Sequence, residues 1–239
     1  MKLYTGTSGW AYKEWKGPFY PETIKNDGML GWYAERLPAV EVNNTFYRMP
    51  ERAVFARWRE QVPPSFRFVL KASRRITHQN RLKEAGPALE YLLDGAAELG
   101  ETLGAFLFQL PPFLQKDVPR LREFLALLPA GAPAAFEFRH VSWFTDEVYS
   151  ALAESGASLC VAESGEETDT PLVATASWGY LRLRREEYDD AALASWCERV
   201  RGQAWDRAFV FFKHEDAATG PLLAARFGTM FHARAPAPE

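Results

Sequence analysis

The chain has 239 residues, 47% apolar and 25% charged, which excludes a disordered or fibrous protein and leaves enough apolar side chains for a large core. Its 28 Lys and Arg against 31 Asp and Glu give a formal charge of −3. Duplex-DNA binders carry a basic footprint instead, so nucleic acid could enter only through a local patch and is not the favoured partner.

No apolar run approaches the ~20 residues that span a bilayer, and "MKLYTGTSGW" lacks the apolar core of a signal peptide. Cys160 and Cys197 form no C-x-x-C pair and lie in apolar surroundings, so they read as buried free thiols. A cytoplasmic protein without membrane attachment is expected. No pattern in the sequence fixes an oligomeric state.

The first strand candidate is "LYTGTS" at 3–8, followed by the aromatic connection "WAYKEWKGPFY" at 10–20. "VEVN" at 40–43 is the second, and the helical pattern "PERAVFARWREQ" after it opens on Pro50, a residue suited to a first helical turn. "FRFVLKA" at 66–72 and "AFLFQL" at 105–110 follow, the latter ended by Pro111 and Pro112. "DVPRLREFLALLP" then reads as a helix capped by Asp117 and stopped at Pro129. After "AAFEF" at 134–138 comes "TDEVYSALAESG", capped by Thr145 and closed by Gly156. "SLCVAE" at 158–163 is followed by Ser164–Trp178, where no amphipathic helix is visible. "YLRLR" at 180–184, the helix "DDAALASWCERVRG" with its acidic first turn and terminal Gly202, and "AFVFF" at 208–212 complete the series.

Eight strands in 239 residues make about 30 residues per unit, the size of a βα repeat. The fold class is therefore α/β, a single (β/α)8 TIM-type barrel over residues 1–232. An irregular crossover joins strands six and seven, and 233–239 form a flexible tail. An open doubly wound sheet is the alternative.

In a parallel barrel one strand face meets the helices and the other points inside, with functional groups at the carboxyl-terminal mouth. "AAFEFRH" then turns Phe136 and Phe138 towards the helices and raises Ala135, Glu137 and Arg139 along the interior. Glu41 and Asn43 share one face, as do Val69 and Lys71, and Arg182 and Arg184. Thr7 and Ser8 end strand one, Gln109 strand four and Glu163 strand six, while Lys213 and His214 follow strand eight. Three carboxylates (Glu41, Glu137, Glu163) and five cations (Lys71, Arg139, Arg182, Arg184, Lys213) give this end an excess of two positive charges. Such a cleft attracts anions, and arginine forks suit phosphate or carboxylate. Mutual neutralisation of the same charges inside the barrel is the structural alternative.

Glu137 or Glu41 could serve as a general base, with a neighbouring cation stabilising developing negative charge. Paired carboxylates also serve glycoside hydrolysis, where their separation in space decides. His78, His140 and His214 with Glu41, Glu137, Glu163 and Asp216 could instead supply a metal-dependent phosphodiesterase site. No H-x-H or H-E-x-x-H spacing supports it, and excess Lys and Arg repel a cation, so no resident metal is expected. No Gly-x-Gly-x-x-Gly loop or P-loop occurs, so no nucleotide cofactor is expected either. The aromatic connection is either a loop packed by its own side chains or a stacking wall over the mouth.

"GTSGWAYKEWKGPFYP", "VEVNNTFYRMP", "FVLKASRRITH", "FQLPPF" and "FEFRHVSWF" resemble the YecE-like family, a domain of unknown function, in order and over nearly the whole chain. The resemblance implies a TIM-type barrel and no established reaction. Its pattern falls on Thr7, Ser8, Gly9, Trp10, Glu41, Asn43, Thr45, Phe46, Tyr47, Lys71, His78, Gln109, Pro111, Glu137, Arg139, His140 and Trp143. The second half departs from it. Glu163 stands where many members have an aspartate, Arg184 and Arg185 where many have His-Gly, and "KHED" from Lys213 where many have paired asparagines.

Together these readings predict an enzyme acting on a small anionic substrate, phosphorylated or acidic and sugar-like, by proton transfer or hydrolysis. Glu137 and Glu41 are the expected catalytic groups. Ser8, Trp10, Asn43, Tyr47, Lys71, His78, Gln109, Arg139, His140, Trp143, Arg182 and Arg184 are the expected substrate contacts. Nucleic-acid binding, metal-dependent phosphodiester hydrolysis and ligand binding without catalysis are the alternatives.

Overall fold

Alternation along each strand divides the core into two layers. In the computed structural model, which describes residues 1–163, 170–213 and 216–233, the strands are β1 (Lys2–Ser8), β2 (Ala39–Val42), β3 (Arg67–Lys71) and β4 (Leu103–Gln109). They continue with β5 (Ala134–Glu137), β6 (Ser158–Glu163), β7 (Trp178–Leu183) and β8 (Arg207–Phe212). Each pairs in parallel with the next and β8 returns to β1, so the barrel is closed and the open sheet is excluded. The inner layer sets Ala39, Ala105 and Ala135 against Tyr4, Phe209 and Phe211, small residues making room for large ones. The outer layer holds the opposite faces, including Val40, Val42, Phe136 and Phe138, against the helices.

The helices are α1 (Met29–Ala34), α2 (Arg52–Glu60), α3 (Gly86–Ala96), α4 (Val118–Leu125), α5 (Asp146–Ser155), α6 (Asp190–Arg201) and α7 (Thr219–His232). Among the described residues, the connection from β6 to β7 is the one without an α-helix. Its described part is held down by Thr175, whose hydroxyl donates to the Ala157 carbonyl and accepts from the Leu159 amide, both at 2.8 Å. Residues 164–169 and 234–239 lie outside the described residues, and so does most of the expected tail.

Helix signals fare unevenly. Asp117 caps α4 by accepting from the Arg120 amide, and Gly156 closes α5 in the left-handed conformation at φ 69°. Asp189, one residue before α6, caps it through the Ala192 amide. Three expectations need correction. Pro50 lies outside α2, which starts at Arg52 after an extended Glu51. Helix α4 ends at Leu125, well before Pro129, and a turn with a Leu128–Leu125 backbone bond fills the interval. Thr145 precedes α5 but makes no capping bond, and its buried hydroxyl has no partner among the described residues. The acidic Asp146 and Glu147 supply the favourable charge at that helix start instead. No helix of the described residues is long and apolar enough to cross a membrane.

One close approach explains a glycine. A Cβ on Gly6 would lie 1.9 Å from the Ala39 carbonyl oxygen. Its absence lets β1 and β2 meet where the Tyr33 hydroxyl donates to Ala39 O and accepts from the Thr7 amide, both at 2.9 Å.

Candidate functional site

The carboxyl-terminal ends of β1, β2, β4, β5 and β7 carry Ser8, Glu41, Gln109, Glu137 and Arg182, and register aligns Ser8 with Glu41 and Gln109 with Glu137. Both glutamates are fully buried. Arg182, 3% exposed, bridges them: Nη2 donates to Glu41 Oε1 at 2.8 Å and Nη1 to Glu137 Oε2 at 2.6 Å.

Each carboxylate is then saturated. Glu41 also accepts from Ser8 Oγ at 2.7 Å, Asn43 Nδ2 at 3.3 Å and Tyr180 Oη at 2.6 Å. Glu137 also accepts from Gln109 Nε2 at 2.9 Å, Arg184 Nη2 at 3.1 Å and Arg139 Nε at 3.2 Å. Burial alone would raise the Glu137 pKa, but Arg182, then Arg184 and Arg139, hold it far below the ordinary carboxylate range. Glu41 is lowered too, because Arg182, Tyr180 and Ser8 outweigh its burial. The Tyr180 hydroxyl is pushed up by burial and by the Glu41 charge it faces, so it stays a donor.

Above this layer lies a cavity of about 270 Å³ lined by five cations: Lys71, Arg139, Arg182, Arg184 and Lys213. With two carboxylates beneath them, the excess is three positive charges. Buried Nε–H groups of Arg182 and Arg184 have no acceptor among the described residues. Lys71, on the last residue of β3, stands apart. No carboxylate lies within ion-pair distance of it among the described residues, and its ammonium sits 4.3 Å from the centre of the Phe46 ring. Burial and the nearby Arg182 push its pKa down to about 8 against the pull of Glu41 and Glu137.

Several expected site residues fall elsewhere. Glu163 shares its strand face with Val161, which packs in the outer layer, not with Cys160 of the inner one. Its Oε2 accepts from Tyr188 Oη at 2.7 Å and Trp196 Nε1 at 2.9 Å, so it anchors α6 and does not belong to the mouth. Trp143 is fully buried, stacked on Phe138 at 4.6 Å with Nε1 donating to Leu114 O, which makes it core. Trp10 packs edge-on against Trp58 of α2 and does not line the cavity. His140 caps the short turn Val141–Trp143 by accepting from the Ser142 amide, and it too lies off the cavity. His78 stands beside the mouth, edge-on to Phe46, its pKa lowered by burial and then by Lys71 and Arg139. Ser8, Asn43, Tyr47 and Gln109 do line the cavity, Tyr47 as an exposed rim residue. His214 and the Asp216 side chain lie outside the described residues. Among the described residues no three His, Cys, Asp or Glu side chains come together as a metal would require.

The aromatic connection is packed by its own side chains. Trp15 and Tyr20 are buried against each other, and Tyr20 donates to Trp10 O. Tyr12 alone of that loop's side chains lines the cavity among the described residues, with its hydroxyl donating to Ser8 O at 2.6 Å. Tyr12, Asn44 and Tyr180 are the site residues the sequence reading missed. Tyr180 had a signal, since it shares the inward face of Arg182 two residues on.

Removing the Glu163 acceptor tests its separation from the mouth. Glu163→Ala removes the buried carboxylate that accepts from the Trp196 indole and from Tyr188 Oη, and is expected to cost about 1–3 kcal/mol of stability. Sulfate affinity at the mouth should remain that of the parent, as calorimetry on the folded variant would measure.

A closed parallel barrel with polar side chains gathered from five strand ends at one mouth defines a TIM-barrel protein. The chain belongs to the family described as "Protein of unknown function DUF72", whose model matches residues 4–239. It is similar to the UPF0759 protein YecE of Escherichia coli K12, 31% identical over 143 residues, 59% of this chain and 50% of that protein. The UPF0759 protein YunF of Bacillus subtilis strain 168 is 27% identical over 157 residues, covering 62% and 54%. The chain thus spans about half the length of the curated relatives it matches. A DUF72 family protein of Thermotoga maritima MSB8 superposes with a TM-score of 0.84 at 26% identity, covering 96% of this chain and 99% of that one. One from Enterococcus faecalis V583 gives 0.81 at 21% identity with 98% and 97% coverage, a likeness of fold alone.

Proposed function

We propose that the mouth binds a small anionic ligand, phosphorylated or acidic and of sugar size, and that Lys71 moves a proton on it. One observation carries this reading: five cations face a single cavity while both carboxylates beneath are already engaged by four donors each. A carboxylate so saturated, and so far below its ordinary pKa, has little basicity left. In this reading Glu41 and Glu137 position the arginines, and the proton-transfer role expected of them passes to Lys71. Arg139 and Arg184 keep guanidinium donors beyond the one each gives to Glu137, which suits a bidentate oxyanion.

Sulfate is a clean probe because its charge is constant near neutral pH. Arg139→Met and Arg184→Met should each weaken sulfate binding about tenfold or more, the worth of a charge-assisted hydrogen bond. Equal affinity in parent and both variants would overturn the reading. Affinity should also fall as pH rises through about 8, where Lys71 loses its charge. Lys71→Met should bind more weakly at neutral pH and lack that step in calorimetric titrations.

A further inference from the structure

We propose that Lys71 is a covalent centre, forming an imine with the carbonyl carbon of a small anionic aldehyde or ketone held in the mouth. The proposal rests on the anion-binding reading and adds the electrophile.

An amine attacks a carbonyl only if it is reachable, free of a fixed ion pair and able to shed its proton. Lys71 meets all three conditions. It lines the cavity from the end of β3, on a rigid strand and not on a loop. No carboxylate holds it among the described residues, and its ammonium rests against the Phe46 ring. Burial and the neighbouring Arg182 favour the neutral amine, which is the nucleophile. Arg139 and Arg184 line the same cavity and can take the ligand's anionic group. In a 2-oxo acid or a short phosphorylated aldehyde the anionic group and the carbonyl lie in one small molecule, so the same cavity can hold the first at the arginines and offer the second to Nζ. Lys213 also lines the cavity but is exposed, so it serves as an internal comparison.

The Nζ lone pair forms a bond to the carbonyl carbon, and the C=O π pair moves to oxygen, which takes a proton to give the carbinolamine. That oxygen then takes a second proton and leaves as water, while nitrogen gives up one proton and forms the C=N bond. One amine, one carbonyl and one net proton become an iminium and one water, with protons exchanged through water at the open mouth. No oxidant or reductant is consumed.

The test is reductive trapping. The native protein is incubated with glyoxylate, pyruvate or glycolaldehyde phosphate and sodium cyanoborohydride, whose hydride converts the imine to a stable secondary amine. Intact mass and peptide mapping then locate the adduct. The expected result is one adduct on Lys71, favoured at least about tenfold over any other lysine, and suppressed by excess sulfate. Lys71→Arg, checked for folding by its melting temperature, should give none. Adducts spread evenly over surface lysines such as Lys2 and Lys83, or no adduct at all, would overturn the proposal. Calorimetry with sulfate on the same preparation separates the two ideas. Sulfate binding without trapping leaves the anion reading standing and removes the imine, whereas loss of both removes the site.

Discussion

Arg182→Met is expected to lower the unfolding free energy by about 3–5 kcal/mol, the cost of breaking a buried ion pair from one side. For a chain of this length that corresponds to a fall of roughly 6–20 °C in melting temperature. Arg182 gives one guanidinium nitrogen to each glutamate, and all three side chains are buried. Without it, Glu41 retains Ser8, Asn43 and Tyr180, donors that carry no charge. Glu137 retains Arg139 and Arg184, both closer to solvent. The loss therefore falls more heavily on Glu41. A triple variant, Glu41→Gln, Glu137→Gln and Arg182→Met, should recover part of the stability, because neither carboxylate is then left charged without its arginine, while Arg139 and Arg184 still face a neutral group. Urea denaturation of the three proteins checks both statements. A single variant melting within about a degree of the parent would mean that the bridge is not a structural keystone.

The barrel was legible because a parallel strand closed in by helices reads as a short apolar run, and eight such runs came at βα spacing. Inward parity was legible wherever a polar residue alternated with two large apolar ones, as Glu137 does between Phe136 and Phe138. Glu163 departs from the strand-end pattern because the face of the strand, not nearness to its end, decides what a side chain meets. Leu159, Val161 and Glu163 share the outward side, and Cys160 and Ala162 the inward one. Trp143 lies in the core for another reason. It follows a site strand, but the turn after Pro111 brings the Leu114 carbonyl to its indole and places the ring in the core. Tertiary closure of that kind leaves no local trace in sequence. Nor does the sharing of one arginine by two glutamates, since Glu41 and Arg182 are separated by 141 positions. Charge counting gave the sign of the mouth correctly while overstating its acidic content by Glu163.

Glu137→Gln is expected to flatten the acid limb of the stability profile. The folded-state pKa of Glu137 lies far below its unfolded value, near 4.3 for a free glutamate. Between those two values the unfolded chain binds a proton that the folded one does not, so stability rises with pH across that window. The contribution is fully present above the unfolded pKa and is lost as pH falls towards the folded one. Glutamine keeps the shape of the side chain without its charge, and so resembles the protonated carboxyl at every pH. At neutral pH the variant should be less stable by about 3–5 kcal/mol, because Arg182, Arg184 and Arg139 face a neutral group. As pH falls below about 4, parent and variant should converge, since the parent loses what the variant never had. Glu41 titrates with the same sign and remains in both proteins, so some acid dependence persists in the variant. Denaturation midpoints measured from neutral pH down to about 2.5 give the gap directly. A gap that stays constant over that range would show that Glu137 does not gain its low pKa on folding, and that the arginines around it are not what holds it ionised.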